Sequence, residues 1–153
     1  MDGSIERRTR VLIADDHAFS RRALRILLST WPGMELVGEA QDGCEALELV
    51  EVLQPEVVLM DLQMPVCDGL EATRCIKHRW PQVRVIALTV HAGCQAAALA
   101  AGADQYLLKG CGLEELLSAI QRPGDSQRRP VVAPKALSGS ALPGGVAGAA
   151  TVP

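Results

Sequence analysis

Residues 10–19 read RVLIADDHAF, and this stretch indicates how the chain folds. Its apolar block, Val11–Ala14, is typical of a short strand that is buried on both faces. Two adjacent carboxylates, Asp15 and Asp16, follow the block directly, although like charges repel and are costly to desolvate. The pair therefore indicates either a solvated loop or a site that binds a cation.

Apolar blocks of the same kind recur along the chain and alternate with amphipathic segments of helical spacing. We predict five strands, at Val11–Ala14, Glu35–Gly38, Val57–Met60, Val83–Leu88 and Gln105–Leu108. Strand–helix alternation repeated five times indicates a parallel sheet with helices on both faces. Ligands bind beyond the carboxyl ends of the strands in such sheets. The residues that close each block are therefore the candidates for function.

Composition limits the class of protein. The chain has 153 residues, of which 48% are hydrophobic and 22% charged, as expected for one globular domain of ordinary size. The net charge of −3 gives no electrostatic basis for binding nucleic acid through this domain. No apolar run approaches the roughly 20 residues of a membrane span. The five cysteines are odd in number and have no zinc-ligand spacing, which indicates a reduced, cytoplasmic protein.

The two ends of the chain differ from the rest. Residues 1–8 are polar and charged and are predicted to form an N-terminal arm. Residues 123–153 are rich in Pro, Gly, Ala and Ser without periodicity. Such a segment buries little apolar surface, so we expect a disordered tail or a linker.

The residues that close the strands form a chemically coherent set. They are Asp15 with Asp16, then Asp61, Thr89 and Lys109. A parallel sheet gathers them at one edge, where the carboxylates suit Mg²⁺. Asp61 can then accept a phosphoryl group as an acyl phosphate, while Lys109 balances charge and Thr89 donates a hydrogen bond. The neighbouring His17 is expected to be a surface residue of the first helical turn.

Several segments together resemble the receiver domain of two-component response regulators over residues 9–122. They are VLIADDH, VVLMDLQMPVCDGLEATR, VIALTVH, AGADQYLLKG and LEELLSAIQ. The segment YLLKG at residues 106–110 most resembles sequences of the NarL/FixJ-type subfamily. The resemblance implies a CheY-like, flavodoxin-like α/β fold: a doubly wound, five-stranded parallel sheet of order 2-1-3-4-5 with helices on both faces.

The resemblance also implies a chemistry for the acidic edge. Asp61 would be phosphorylated by a sensor histidine kinase. Mg²⁺, with Mn²⁺ as an alternative, would be bound by Asp16, Asp61 and the backbone carbonyl of Gln63. Asp15 would act on this metal mainly through water. The protein would assist its own phosphorylation and dephosphorylation without being an enzyme for an external substrate.

A conformational switch is implied as well. Thr89 and Tyr106 would form the switch pair, because a new dianionic group draws the hydroxyl toward it and vacates space for the ring. Gln63, Val90 and His91 are predicted to tune the lifetime of the phosphoryl group. The Ala-rich segment at residues 92–102 predicts a short fourth helix.

The output is left open by the sequence. The leading prediction is transcriptional control, with a partner-binding or dimer-binding surface that changes on phosphorylation. One alternative is a stand-alone receiver that signals by protein contact without binding DNA. A second alternative is a Mg²⁺-dependent phosphohydrolase. Such an enzyme would need a second general acid and a lid over the substrate, and the sequence shows neither. No membrane partner is expected.

Overall fold

The computed structural model describes residues 7–64 and 67–121. Most of the predicted N-terminal arm and the whole predicted tail lie outside these residues. The strands are β1 (Thr9–Ala14), β2 (Met34–Ala40), β3 (Val57–Asp61), β4 (Arg84–Thr89) and β5 (Gln105–Leu108). The helices are α1 (Ala18–Ser29), α2 (Gly43–Leu53), α3 (Gly69–Arg79), α4 (Gln95–Ala100) and α5 (Leu113–Gln121).

The five strands form one sheet of order β2-β1-β3-β4-β5, and every neighbouring pair is parallel. This confirms the predicted fold class. Strands β3 and β4 each run one residue further than predicted, because Asp61 pairs with Leu88 and Thr89 pairs with Leu108. Two candidate site residues are thus the last members of strands, where the backbone hydrogen bonds of the sheet hold them.

The core has two parts, one on each face of the sheet. Helices α1 and α5 cover one face, with Leu28 and Ile120 packed against the β1 and β3 side chains there. Helices α2 and α3 cover the other, where Val50 and Ile76 are fully buried. Strands β1 to β4 therefore contribute to both parts, which explains why most strands form nearly continuous apolar blocks in the sequence.

Helix α4 is the weakest element of the fold. It has six residues and follows a single turn of 3₁₀ helix at Ala92–Cys94. Only Ala98 of the helix is buried, in a small cluster that also contains Ala87 and Ala103. The expectation of a short fourth helix is met. The longest helix of residues 7–64 and 67–121 has 12 residues, so none of them could span a bilayer.

Candidate functional site

Four predicted site residues lie at the carboxyl edge of the sheet. Asp61 and Thr89 end β3 and β4, while Asp15 follows β1 and Lys109 follows β5. Asp15, Asp61 and Thr89 are only 1%, 4% and 1% exposed. Parallel strands bring these positions together although they are separated by up to 94 residues in the chain. Two carboxylates buried at one edge require compensating charge.

Lys109 supplies part of that charge. Its Nζ atom lies 2.8 Å from Asp15 Oδ2 and 3.3 Å from Asp61 Oδ2. Burial alone would lower the pKa of Lys109, but its hydrogen bonds to these carboxylates and their attraction outweigh burial and raise the pKa. The ammonium is therefore firmly charged and bridges β1, β3 and β5 at the ends of the strands.

Asp61 lies in the opposite electrostatic situation. Burial raises the pKa of its carboxyl above the ordinary value, and the neighbouring charge of Asp15 acts in the same direction. The Gln63 backbone N–H, which donates to Asp61 Oδ1 at 3.1 Å, and the Lys109 ammonium oppose the shift without cancelling it. The site thus holds one carboxylate that is under-compensated by the protein alone.

The acidic pair after β1 is shaped by the start of α1. The His17 backbone N–H donates to Asp15 Oδ1 at 2.9 Å, and His17 is the N-cap residue of the helix. Arg21, one turn further, donates from its guanidinium to the Asp15 carbonyl at 2.7 Å. This turn points the Asp15 side chain inward to Lys109 and leaves the neighbouring Asp16 at the mouth of the site.

The carboxylates form a group that fits a divalent ion. One ligand atom from each of Asp15, Asp16, His17 and Asp61 lies within 4.8 Å of all the others. Asp16 Oδ1 is buried and accepts no hydrogen bond among the described residues, and its polar neighbour is the His17 ring, whose Nδ1 atom lies 3.1 Å away. A further ligand would satisfy this oxygen. A hard cation with oxygen ligands meets that need. The donor set therefore fits Mg²⁺.

Sequence reasoning missed His17 as a member of this group. Its side chain is 66% exposed, as a surface residue should be, yet Nδ1 lies 3.1 Å from Asp16 Oδ1. The ring therefore stands at the rim of the carboxylate group. The sequence does give one signal for this position, because His17 directly follows the acidic pair. A residue that begins a helix just after a strand lies at the same edge of the sheet.

Thr89 and Tyr106 lie on neighbouring strands and contact the same residue. Thr89 Oγ1 accepts a hydrogen bond from the His91 backbone N–H at 3.1 Å. The Tyr106 hydroxyl donates to the His91 carbonyl at 2.7 Å. The half-buried Tyr106 ring also packs against the small cluster under α4. One backbone unit, directly before the 3₁₀ turn and α4, thus connects both members of the predicted switch pair.

The remaining predicted residues follow the ends of β3 and β4 and are exposed. The side chains of Gln63 and His91 are exposed, and Val90 is 64% exposed. Their effect on phosphoryl lifetime stays a prediction, as does the Gln63 carbonyl as a metal ligand.

A groove of about 250 Å³ opens beside Lys109, between α1 and the start of α5. Its walls are mostly apolar and include Leu24, Leu27 and Leu116. Phe19 stands at its edge and is 84% exposed. An exposed aromatic ring beside an apolar groove is typical of a surface that binds another protein.

Fold and site together define a class: a doubly wound α/β protein whose carboxyl edge carries acidic side chains and one lysine. The response regulator receiver domain family matches residues 11–121. The chain is 40% identical to the response regulator GacA of Pseudomonas viridiflava over 124 residues, 78% of this chain and 56% of that protein. It is 41% identical to the response regulator UvrY of Escherichia coli over 120 residues, 77% of this chain and 55% of that protein.

Solved structures agree with these matches. The receiver domain of the response regulator NarL from Mycobacterium tuberculosis superimposes with a TM-score of 0.71 and 33% identity, over 74% of this chain and 94% of that one. The response regulator domain of Thermotoga maritima CheB gives a TM-score of 0.69 and 36% identity, with the same coverage. The chain belongs to the response regulator receiver domain family, and its relatives are of the NarL/FixJ type. It spans about half the length of the curated relatives it matches.

Proposed function

We propose that this chain receives a phosphoryl group on Asp61 from the phosphohistidine of a sensor histidine kinase. One observation carries the proposal: a buried carboxylate at the end of β3 lies 3.3 Å from the Lys109 ammonium and within 4.8 Å of three further potential metal ligands. A carboxylate needs such surroundings to act as a phosphoryl acceptor, because the transferred group brings negative charge into an acidic site.

The transfer is a displacement at phosphorus. A carboxylate oxygen of Asp61 forms the new O–P bond, and the N–P bond to the donor imidazole breaks with its electron pair returning to nitrogen. Lys109 attracts the phosphoryl oxygens, and the Gln63 backbone N–H holds the carboxylate in place from the other side. The protein therefore contributes positioning and charge, while the donor supplies the reactive bond.

Mg²⁺ would be bound by Asp16, Asp61 and the Gln63 backbone carbonyl, with Asp15 acting through water; Mn²⁺ has similar ligand preferences. When bound, this ion would supply positive charge that neutralises the oxygens of the transferred group. Asp16 Oδ1, which is buried and accepts no hydrogen bond among the described residues, supports this assignment.

Phosphorylation would then operate the switch pair. The Thr89 hydroxyl turns to the phosphoryl oxygens and leaves its contact with the His91 N–H. Tyr106 gives up its bond to the His91 carbonyl and rotates inward. Because His91 directly precedes the 3₁₀ turn and α4, the surface around α4 and β5 changes shape. We propose that this surface binds a partner or a second phosphorylated copy.

The biological role follows from the relatives. One of them is named transcriptional regulatory protein DegU, from Brevibacillus brevis, with 37% identity over 118 residues. We infer control of transcription in the cytoplasm, where ATP-dependent kinases act, with nucleic acid bound by another part of the protein. The groove beside Lys109 would receive the kinase segment that carries the phosphohistidine, since it is the apolar opening next to the phosphoryl site.

Acetyl phosphate tests the proposal without the kinase. The full chain, incubated with acetyl phosphate and Mg²⁺, should gain the mass of one phosphoryl group, and the Asp61→Asn variant should gain none. Chelation of the metal should reduce the modification strongly. A phosphoryl group on another residue, or none on the wild-type chain, would refute the assignment of Asp61.

The same assay separates the alternatives. Continuous release of phosphate from many substrates without a stable adduct would favour the phosphohydrolase. A stable adduct supports signalling, and size-exclusion chromatography of the adduct then tests dimerisation. The stand-alone receiver would be favoured if the phosphorylated chain binds a protein partner and no DNA-binding portion takes part.

A further inference from the structure

Three of the five cysteines gather on the side of the molecule where α2 meets the loop before α3. Cys44 is exposed in the first turn of α2, and Cys67 and Cys75 are half-buried, on the loop and on α3. Cys75 Sγ contacts Glu71 Oε2, on its own helix, at 3.8 Å. Cys44 and Cys67 belong to the two segments that meet at this junction, Cys44 on α2 and Cys67 on the loop.

The backbone holds this junction tightly closed. The Gly43 N–H donates to the Cys67 carbonyl at 2.9 Å. A Cβ atom on Gly43 would stand 2.3 Å from that carbonyl oxygen and 2.8 Å from Cys67 Sγ. Only glycine fits at such a close approach. Cys67 therefore packs directly against Gly43, the residue before Cys44.

The two thiols are close enough to affect each other. Burial raises the pKa of Cys67 to about 11, and the neighbouring Cys44 thiol acts in the same direction. Cys67 therefore stays protonated at neutral pH and is a poor first nucleophile. The exposed Cys44 is open to small oxidants, and Cys67 Sγ lies directly against Gly43, the residue before it.

We propose that Cys44 and Cys67 form an oxidation site that hydroperoxides convert to a disulfide. The Cys44 thiolate sulfur attacks the peroxide O–O bond, which breaks and leaves a sulfenic acid on Cys44 and one molecule of water or alcohol. The Cys67 sulfur then attacks the Cys44 sulfur, the S–S bond forms, and water departs with the sulfenic oxygen. The two thiols lose two electrons and two protons, and the peroxide is reduced.

The bond would connect α2 covalently to the loop that follows the end of β3. That loop carries Gln63, whose N–H holds the Asp61 carboxylate. Oxidation would therefore restrict the segment next to the acidic site. The pairing itself depends only on the α2 junction and stands or falls independently of phosphorylation.

Peptide mapping tests the pairing on the full chain. The protein is treated with a small molar excess of hydrogen peroxide at neutral pH, alkylated, and digested without reduction by a protease that cleaves after glutamate. Cleavage after Glu39, Glu45, Glu56 and Glu71 separates the two cysteines into peptides 40–45 and 57–71. We expect these peptides to be linked, with a mass two hydrogens below their sum, and to separate with dithiothreitol.

Matched variants decide the outcome. Cys44→Ser should abolish the linked pair, whereas Cys75→Ser should leave its yield unchanged. Oxidation in urea should give mixed pairings among the five cysteines, because only the fold selects this pair. A predominant link to Cys75, or sulfinic acid on Cys44 with Cys67 still free, would overturn the proposal.

Discussion

Asp61→Asn should make the metal-free protein more stable, although it removes a residue of the acidic site. At an effective dielectric of about 20, the attraction between Asp61 and Lys109, 3.3 Å apart, is worth about 5 kcal/mol. Ligand oxygens of Asp15 and Asp61 lie within 4.8 Å of each other, so their repulsion costs about 3 kcal/mol on the same scale.

The attraction to Lys109 exceeds this repulsion by about 2 kcal/mol. Desolvation of the buried carboxylate outweighs the difference, since burial is the largest cause that raises the pKa of Asp61. The amide oxygen of asparagine can still accept the hydrogen bond from the Gln63 N–H. We therefore expect the free energy of unfolding of the variant to exceed that of the wild type by about 1 kcal/mol when metal is chelated.

Urea unfolding followed by tryptophan fluorescence measures the effect. Trp31 packs against one part of the core and Trp80 against the other, so the signal reports on both faces of the sheet. The urea midpoint should rise with an unchanged slope. Mg²⁺ should stabilise the wild type and have little effect on Asp61→Asn, because the variant lacks the repulsion that the ion relieves.

Glu48→Gln provides the control, since it makes the same change in net charge at an exposed position of α2. It should alter stability by less than about 0.5 kcal/mol. Destabilisation of metal-free Asp61→Asn by more than about 1 kcal/mol would show that Lys109 already compensates the carboxylates, and the electrostatic basis for the cation site would fail.

Three further changes test how the fold supports the site. Gly69→Ala should lower the free energy of unfolding in urea by at least about 3 kcal/mol, because its Cβ would stand 2.1 Å from a backbone oxygen at the end of β3. Gly33→Ala is the control: its Cβ meets nothing within 4 Å, so the change should be nearly neutral. Lys77→Met should cost about 3 kcal/mol because it breaks a buried ion pair of 2.9 Å, and Arg74→Met, which breaks an exposed pair, less than about 1 kcal/mol. Tyr106→Phe loses a 2.7 Å hydrogen bond and should cost about 1 kcal/mol, and no loss of stability would show that this bond is not formed in solution.

The fold could be predicted from the sequence because burial on both faces leaves a direct trace. Blocks such as Val57–Met60 have no polar residue to interrupt them, and the structure buries all four side chains almost completely. The exact ends of β3 and β4 were misjudged by one residue, because Asp61 and Thr89 are polar and a pattern of apolar residues cannot include them. These two residues belong to strands because their backbones pair with neighbouring strands, and this pairing joins residues that are far apart in the sequence.

The site could be predicted only as a set of residues. Parallel topology requires strand ends to share an edge, so Asp15, Asp61 and Lys109 could be grouped without coordinates. The direction of each side chain could not. The inward turn of Asp15 depends on its hydrogen bond from His17 and on Arg21, and the place of His17 at the rim of the carboxylates follows from that same turn.

The weakness of α4 and the position of His91 together explain where a signal can leave the site. His91 receives Tyr106 on its carbonyl and donates its N–H to Thr89, and the next three residues form the 3₁₀ turn. A helix of six residues with one buried alanine loses little apolar burial when it shifts. The strands on either side of Asp61 are almost entirely buried and resist movement more strongly. We therefore expect charge added at Asp61 to be relieved where packing resists least, at the segment from His91 to α4.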